Sequence, residues 1–123
     1  MKKNFKIDFG TYPFDCLVYI GHTDESVVKH LERYYFPLTD EEKELIAMEG
    51  NGRTGTLAGG YILKLRDLDM KNPILVGTMT HEIFHLADFL LRRVGVTLSE
   101  DSDEAYAYLI QYLTEQIISK TNA

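Results

Sequence analysis

At 123 residues, with 45% hydrophobic and 26% charged residues, the chain has the size and composition of one soluble globular domain around a single core. Thirteen basic against nineteen acidic residues leave a net charge of −6, which argues against a nucleic-acid backbone as main partner. No uninterrupted apolar run approaches a membrane span, Asp8, Pro13 and Asp15 interrupt anything like a secretory leader, and the lone Cys16 has no disulfide partner; a cytoplasmic protein is expected.

Phe5 to Phe9 alternates apolar and polar residues and Cys16 to Ile20 is continuously apolar, so the two read as short strands separated by Gly10 and Pro13. Within the second strand Cys16 reads as a small core residue. Thr23 or Asp24 caps a helix reaching about Phe36, with Val27, Val28, Leu31, Tyr34 and Tyr35 as its apolar stripe and Pro37 as its end. Thr39 and Glu42 make a capping box for a second short helix, Asp40 to about Met48. Glu49 to Arg53 is turn chemistry, and Thr56 to Arg66 reads as one strand interrupted by Gly59-Gly60.

Asn72 and Pro73 are the N-cap and first residue of a long helix that Gly95 stops, and Ser99 or Asp101 caps a last helix ending near Ile118. The order β-β-α-α-β-α-α describes an α+β domain. With no repeat, linker or low-complexity tract, residues 1–123 are expected to form one unit.

The long helix carries His81-Glu82-Ile83-Phe84-His85, an HExxH motif. On a helix this spacing sets two imidazoles one turn apart, able to grip one metal ion, with the glutamate directed at a water on that ion. At about 100° per residue, Thr78, Glu82, His85, Asp88 and Arg92 fall with His81 in one arc of about 120°. Ile74, Met79, Phe84, Leu86, Leu90, Leu91 and Val94 fill most of the remainder, which predicts a buried helix whose polar stripe faces a satisfied interior. A solvent-facing stripe, or core histidines without metal, is the competing reading.

A catalytic zinc site needs a third protein ligand and one open position. His22 and His30 precede the motif, and Asp88 reads as a residue behind the ligands or as an ion-pair partner of Arg92. Glu104, 19 residues after His85, is the better candidate, because the turn at Val94-Gly95-Val96 folds the last helix back. Its alternative role is capping-box partner of Asp101. On the last helix Tyr106, Leu109, Ile110, Leu113 and Ile117 form the core face, and Glu104, Tyr108, Gln111 and Glu115 another.

These residues resemble the gluzincins, metallopeptidases whose zinc is held by HExxH and a downstream glutamate. Asp103-Glu104-Ala105-Tyr106-Ala107-Tyr108 is similar to the Asn-Glu-Ala-x-Ser-Asp segment of thermolysin-like members, and the likeness spans about residues 78–112. It implies a minimal zincin-like domain: a small sheet with a backing helix, an HExxH helix and a C-terminal glutamate helix. It further implies Zn2+ held by His81, His85 and Glu104, Glu82 as general base, and a peptide or protein substrate. Tyr108 departs from the family's aspartate at that place. The chain also looks like small phage- and prophage-encoded zincin-like proteins, which implies a bacterial host cell. Oxyanion donors are sought among Tyr106, Tyr108, Tyr112, Tyr61 and Arg53, and Gly59-Gly60 reads either as close-approach positions for a substrate strand or as a bend. A non-catalytic binding or assembly protein on the same fold is the alternative function.

Overall fold

The computed structural model describes residues 1–47 and 50–123. Strand β1 (Lys3–Phe9) pairs antiparallel with β2 (Tyr12–Ile20), and two helices follow, α1 (Asp24–Tyr34) and α2 (Asp40–Ile46). A hairpin, β3 (Gly52–Leu57) and β4 (Gly60–Leu65), leads into α3 (Pro73–Arg93) and α4 (Asp103–Thr121). The chain is thus an α+β domain with a four-stranded mixed sheet in the order β1-β2-β4-β3, β2 and β4 being parallel.

The sheet is covered on both faces. From Tyr61 to Leu65 every residue of β4 is buried, as a central strand between two helical layers requires. Tyr61, Leu63 and Leu65 join Ile7, Phe9, Cys16 and Val18 against Met79, Ile83, Leu86 and Leu90 of α3 and Leu109, Leu113 and Ile117 of α4. Ile62, Tyr19 and Leu57 join Val27, Leu31 and Ile46 from α1 and α2 on the other face. Lys64 is buried on that second face, its Nζ donating to the Asp24 carboxylate and, at 2.5 Å, to the Ile46 carbonyl oxygen. Cys16 is buried, and burial pushes its thiol far above the ordinary range, in keeping with a core role.

Two strand readings change. The stretch expected as one strand, Thr56 to Arg66, is a hairpin, and Gly59-Gly60 belongs to its turn and the first position of β4. Ala58 and Gly59 both have positive φ, 49° and 81°, the geometry of a tight hairpin turn. The Gly59 carbonyl accepts a hydrogen bond from Arg93 at 2.9 Å, and the Arg93 guanidinium lies 3.9 Å from the centre of the Phe14 ring. The edge strand is therefore β3, beginning at Gly52 where turn chemistry was expected; Met48 and Glu49, assigned to a helix end and to that turn, lie outside the described residues.

Helix ends follow local chemistry. Thr23 caps α1 by accepting from Ser26, Thr39 and Glu42 form the expected box, and Asn72 Oδ1 accepts from Ile74 and Leu75 at 3.0 and 3.4 Å. The last helix differs: its N-cap position is Ser102, not Ser99 or Asp101, and no side chain caps it. Among the described residues α3 is the one helix long and apolar enough to cross a bilayer; here Met79, Ile83, Leu86 and Leu90 are core against the sheet.

Asn72→Ala removes both cap hydrogen bonds and is expected to lower unfolding stability by about 1 kcal/mol. Urea unfolding followed by far-UV circular dichroism checks it: the midpoint falls at unchanged m-value, and an unmoved midpoint would contradict the cap assignment.

Candidate metal and catalytic site

The site is set by α3 lying across β3. Arg53, Gly55 and Leu57 of β3 face α1 and α2, as the Arg53 hydrogen bond to the Ala47 carbonyl and the contact of Gly55 with Leu45 show. Alternation then turns Gly52, Thr54 and Thr56 toward α3. The absent side chain of Gly52 matters: a Cβ there would stand 2.9 Å from both Glu82 Cγ and Thr78 Cγ2. Glycine is what lets the strand close on the helix at this point.

Glu82 is consequently only 6% exposed. The Thr54 hydroxyl lies 2.8 Å from Glu82 Oε1 and 3.2 Å from the Glu82 carbonyl oxygen; it has one proton to give, and the shorter contact is to the carboxylate. The other carboxylate oxygen, Oε2, stands 4.0 Å from His81 Nε2.

His81 and His85 point the other way, toward solvent. The His81 side chain is 67% exposed and His85 is half-buried, its ring stacked on Phe89 at 6.2 Å between centres. Their Nε2 atoms converge to 3.1 Å. Two nitrogens bound at about 2.0–2.1 Å to one tetrahedral ion would be about 3.3 Å apart, close to this spacing, which is also that of a hydrogen bond between the two rings. Gly52, Arg53, Thr54, His81, Glu82, His85 and Phe89 line one open cleft of about 290 Å³. A neighbouring cleft is lined by Asn51, Gly52, Gly77 and Thr78 with His81 and Glu82. The polar stripe is thus divided: Glu82 is buried against β3, whereas His81 and Arg92 are at the surface.

Glu104 is not brought to this pair. Among the described residues no three His, Cys, Asp or Glu side chains are grouped to hold a metal, and Glu104 is exposed. Tyr106 explains why. It is buried against α3, stacked on Phe84 and donating to Asp88 at 3.0 Å. Two positions along a helix turn the side chain by about 200°, so Glu104 leaves α4 on nearly the opposite side. With Ser102 at the N-cap, Glu104 is not the capping partner of Asp101 either.

The remaining candidates have other partners. Asp88 pairs with Arg92 at 2.9 Å and accepts from Tyr106, as an ion-pair residue rather than one seen against the imidazoles. Burial and that hydrogen bond push the Tyr106 phenol above its ordinary value. Tyr108 is exposed beside Phe9, Tyr12 and Tyr112, and Tyr112 donates to Asp8. Tyr61 is core, and Arg53, though it borders the histidine cleft, gives its guanidinium to the Ala47 carbonyl oxygen on the side of α2. Gly59 is bonded to the side chain of Arg93, a residue about 12 Å along the helix axis from His85. His22 and His30 sit together elsewhere, bonded to Ser26 at 2.9 Å and Tyr19 at 2.8 Å.

Thr54 and Gly52 are the residues that sequence reasoning passed over. Gly52 fell in the stretch read as turn and Thr54 between that turn and the strand expected from Thr56, and only the pairing of β3 with β4 sets their facing. Compared with protein-family models, curated proteins and solved structures, the chain matches none.

Thr54→Val keeps the shape and removes the donor to Glu82. It should cost about 1.5–3 kcal/mol, as for a hydrogen bond to a charged partner, while Thr54→Ser retains most of the stability. Urea unfolding at pH 7 measures both; equal stability of the Val and wild-type proteins would remove Thr54 as the anchor.

Proposed function

We propose that this chain is a small zinc-dependent metallopeptidase of the gluzincin type, with His81 and His85 as metal ligands and Glu82 as general base. The observation that carries the reading is one arrangement: two Nε2 atoms converging at 3.1 Å beside a carboxylate fixed from a neighbouring strand. When bound, zinc supplies an acidified water and polarises a carbonyl. The protein's own part is proton handling and positioning. Thr54 occupies Glu82 Oε1, which leaves Oε2, on the His81 side, to take a proton from water and return it to a leaving amine.

The open edge of β3 supports a peptide or protein substrate. Arg66 N–H donates to the Asn51 carbonyl oxygen across the hairpin. Alternation along an antiparallel pair then directs the main-chain groups of Gly52, Thr54 and Thr56 outward, where an extended segment can add as a strand next to Glu82. This replaces Gly59-Gly60 as the substrate-facing stretch. The net charge of −6 supports a partner other than nucleic acid, and a cytoplasmic, membrane-free setting in a phage-bearing bacterium belongs to the same reading.

Glu104 enters as third ligand on the strength of the motif interval alone, and its outward phase on α4 tells against it. That phase favours a second reading, a non-catalytic binding or assembly protein that keeps the imidazole pair.

Purification without added zinc, followed by elemental analysis and incubation with mixed peptides, tests the proposal. The wild type should carry zinc and cleave. His81→Ala should lose the metal, while Glu82→Gln should keep it and lose roughly 10²–10⁴-fold in rate. Cleavage by Glu82→Gln equal to wild type would overturn the enzyme reading. Unchanged zinc content in Glu104→Ala would leave the ion on the imidazoles and remove Glu104 from the ligand set.

A further inference from the structure

Two features of α3 are not used by the peptidase reading. The first is that the donors grouped within one described chain stop at two imidazoles, half of what a tetrahedral ion takes. The second is the outward face of the helix on the N-terminal side of those imidazoles. Ile74 is 70% exposed and a Cβ on Gly77 would meet nothing within 4 Å, while Phe84, between the two histidines and stacked on Tyr106, keeps 38% of its surface exposed. From Pro73 to His81 no Asp, Glu, Lys or Arg occurs, although the chain as a whole carries −6. A glycine inside an exposed helix costs about 1 kcal/mol against alanine, and among the described residues none comes within 4 Å of a Cβ placed on Gly77.

We propose that a second copy of this chain completes the coordination at His81 and His85, so that one divalent metal ion bridges two α3 helices through four imidazoles. The inference rests on the reading of His81 and His85 as metal ligands.

A two-fold axis through the ion makes the contact isologous: each copy offers the same pair, and the two pairs together fill a tetrahedron of nitrogen ligands. The occupant is a second copy because an identical imidazole pair supplies the two missing nitrogens, and the uncharged stretch from Pro73 to His81 removes like-charge repulsion between two acidic chains there. The ion's own positive charge adds to the attraction. Gly77, one turn before His81, admits the opposing helix, and Ile74 and Phe84 give it apolar contact. Four protein ligands leave no position for water, so the bridged dimer is the resting form of the centre and the open form belongs to the separated chain.

The test uses the full chain, stripped with a chelator and titrated with zinc alone, followed by light scattering after size exclusion and by calorimetry. The expected result is a rise from 14.1 kDa to twice that mass at one zinc per two chains, reversed by chelator. His81→Ala and His85→Ala should stay monomeric with unchanged circular dichroism, since neither side chain is core. Gly77→Leu should bind zinc yet weaken the dimer by about tenfold or more, the loss of one good contact. Binding of one zinc per chain to a persistent monomer would overturn the bridge and leave the peptidase reading standing. No zinc uptake would overturn both. Dimerisation that ignores zinc and survives in His81→Ala would also overturn the bridge.

Discussion

The close approach of β3 to α3 at Gly52 is the constraint on which the site depends. It buries Glu82 and gives its carboxylate a donor from Thr54, a hydrogen bond between residues 28 positions apart. Once Glu82 is fixed toward the strand, helical geometry settles the rest. His81 is one residue back, about 100° around the axis, and His85 lies about 40° from His81 on the same side. Both imidazoles therefore reach the open cleft bordered by the β3 edge, and the one-turn spacing lets their ring nitrogens converge. A helix backed by Ile83, Leu86 and Leu90 in the core holds that geometry rigidly. Preorganised donors of this kind lose little freedom on taking a ligand.

What the sequence made legible is what short-range chemistry decides. The caps at Thr23, Thr39 and Asn72 are contacts within three residues, so the residue types alone announce them. The alternation of β1 and the apolar run of β2 announce strands for the same reason. The order of the sheet was not legible. Placing β4 beside β2 in parallel, with β3 outermost, depends on two helical layers competing for the same faces. That order decides that Thr54, and not Gly59, adjoins Glu82.

The Glu104 expectation gave the interval along the chain more weight than the face of the last helix on which Glu104 lies. The interval from His85 to Glu104 suits a third ligand, but Tyr106 was already assigned to the core face, and its burial turns Glu104 outward. The stripe on α3 was read by phase, but phase does not give the neighbours. Leu86, Leu90 and Leu91 do pack inward, whereas Ile74 and Phe84 remain exposed, so the helix is covered on one side and its histidines meet solvent. An apolar count around a wheel does not say which sides have neighbours. The sheet and α4 supply them on only part of the circumference.

An exposed two-imidazole site with an anchored carboxylate is chemically undecided by itself, and what fills the other corners decides its character. Water and a substrate carbonyl make it an open centre in which Glu82 has a proton to move. Further protein nitrogens make it a closed centre in which Glu82 has none. The same Thr54 hydrogen bond is present in both, so anchoring Glu82 does not distinguish them. The surroundings of His81 do. The β3 edge on the Glu82 side offers main-chain groups suited to an extended peptide, and the bare face toward Ile74 offers an uncharged surface suited to another helix. Both surfaces adjoin the imidazoles, and an ion has only two free corners to share between them. If the two proposals hold together, strand addition and helix association would compete for one centre, and the concentration of chain against substrate would set which prevails.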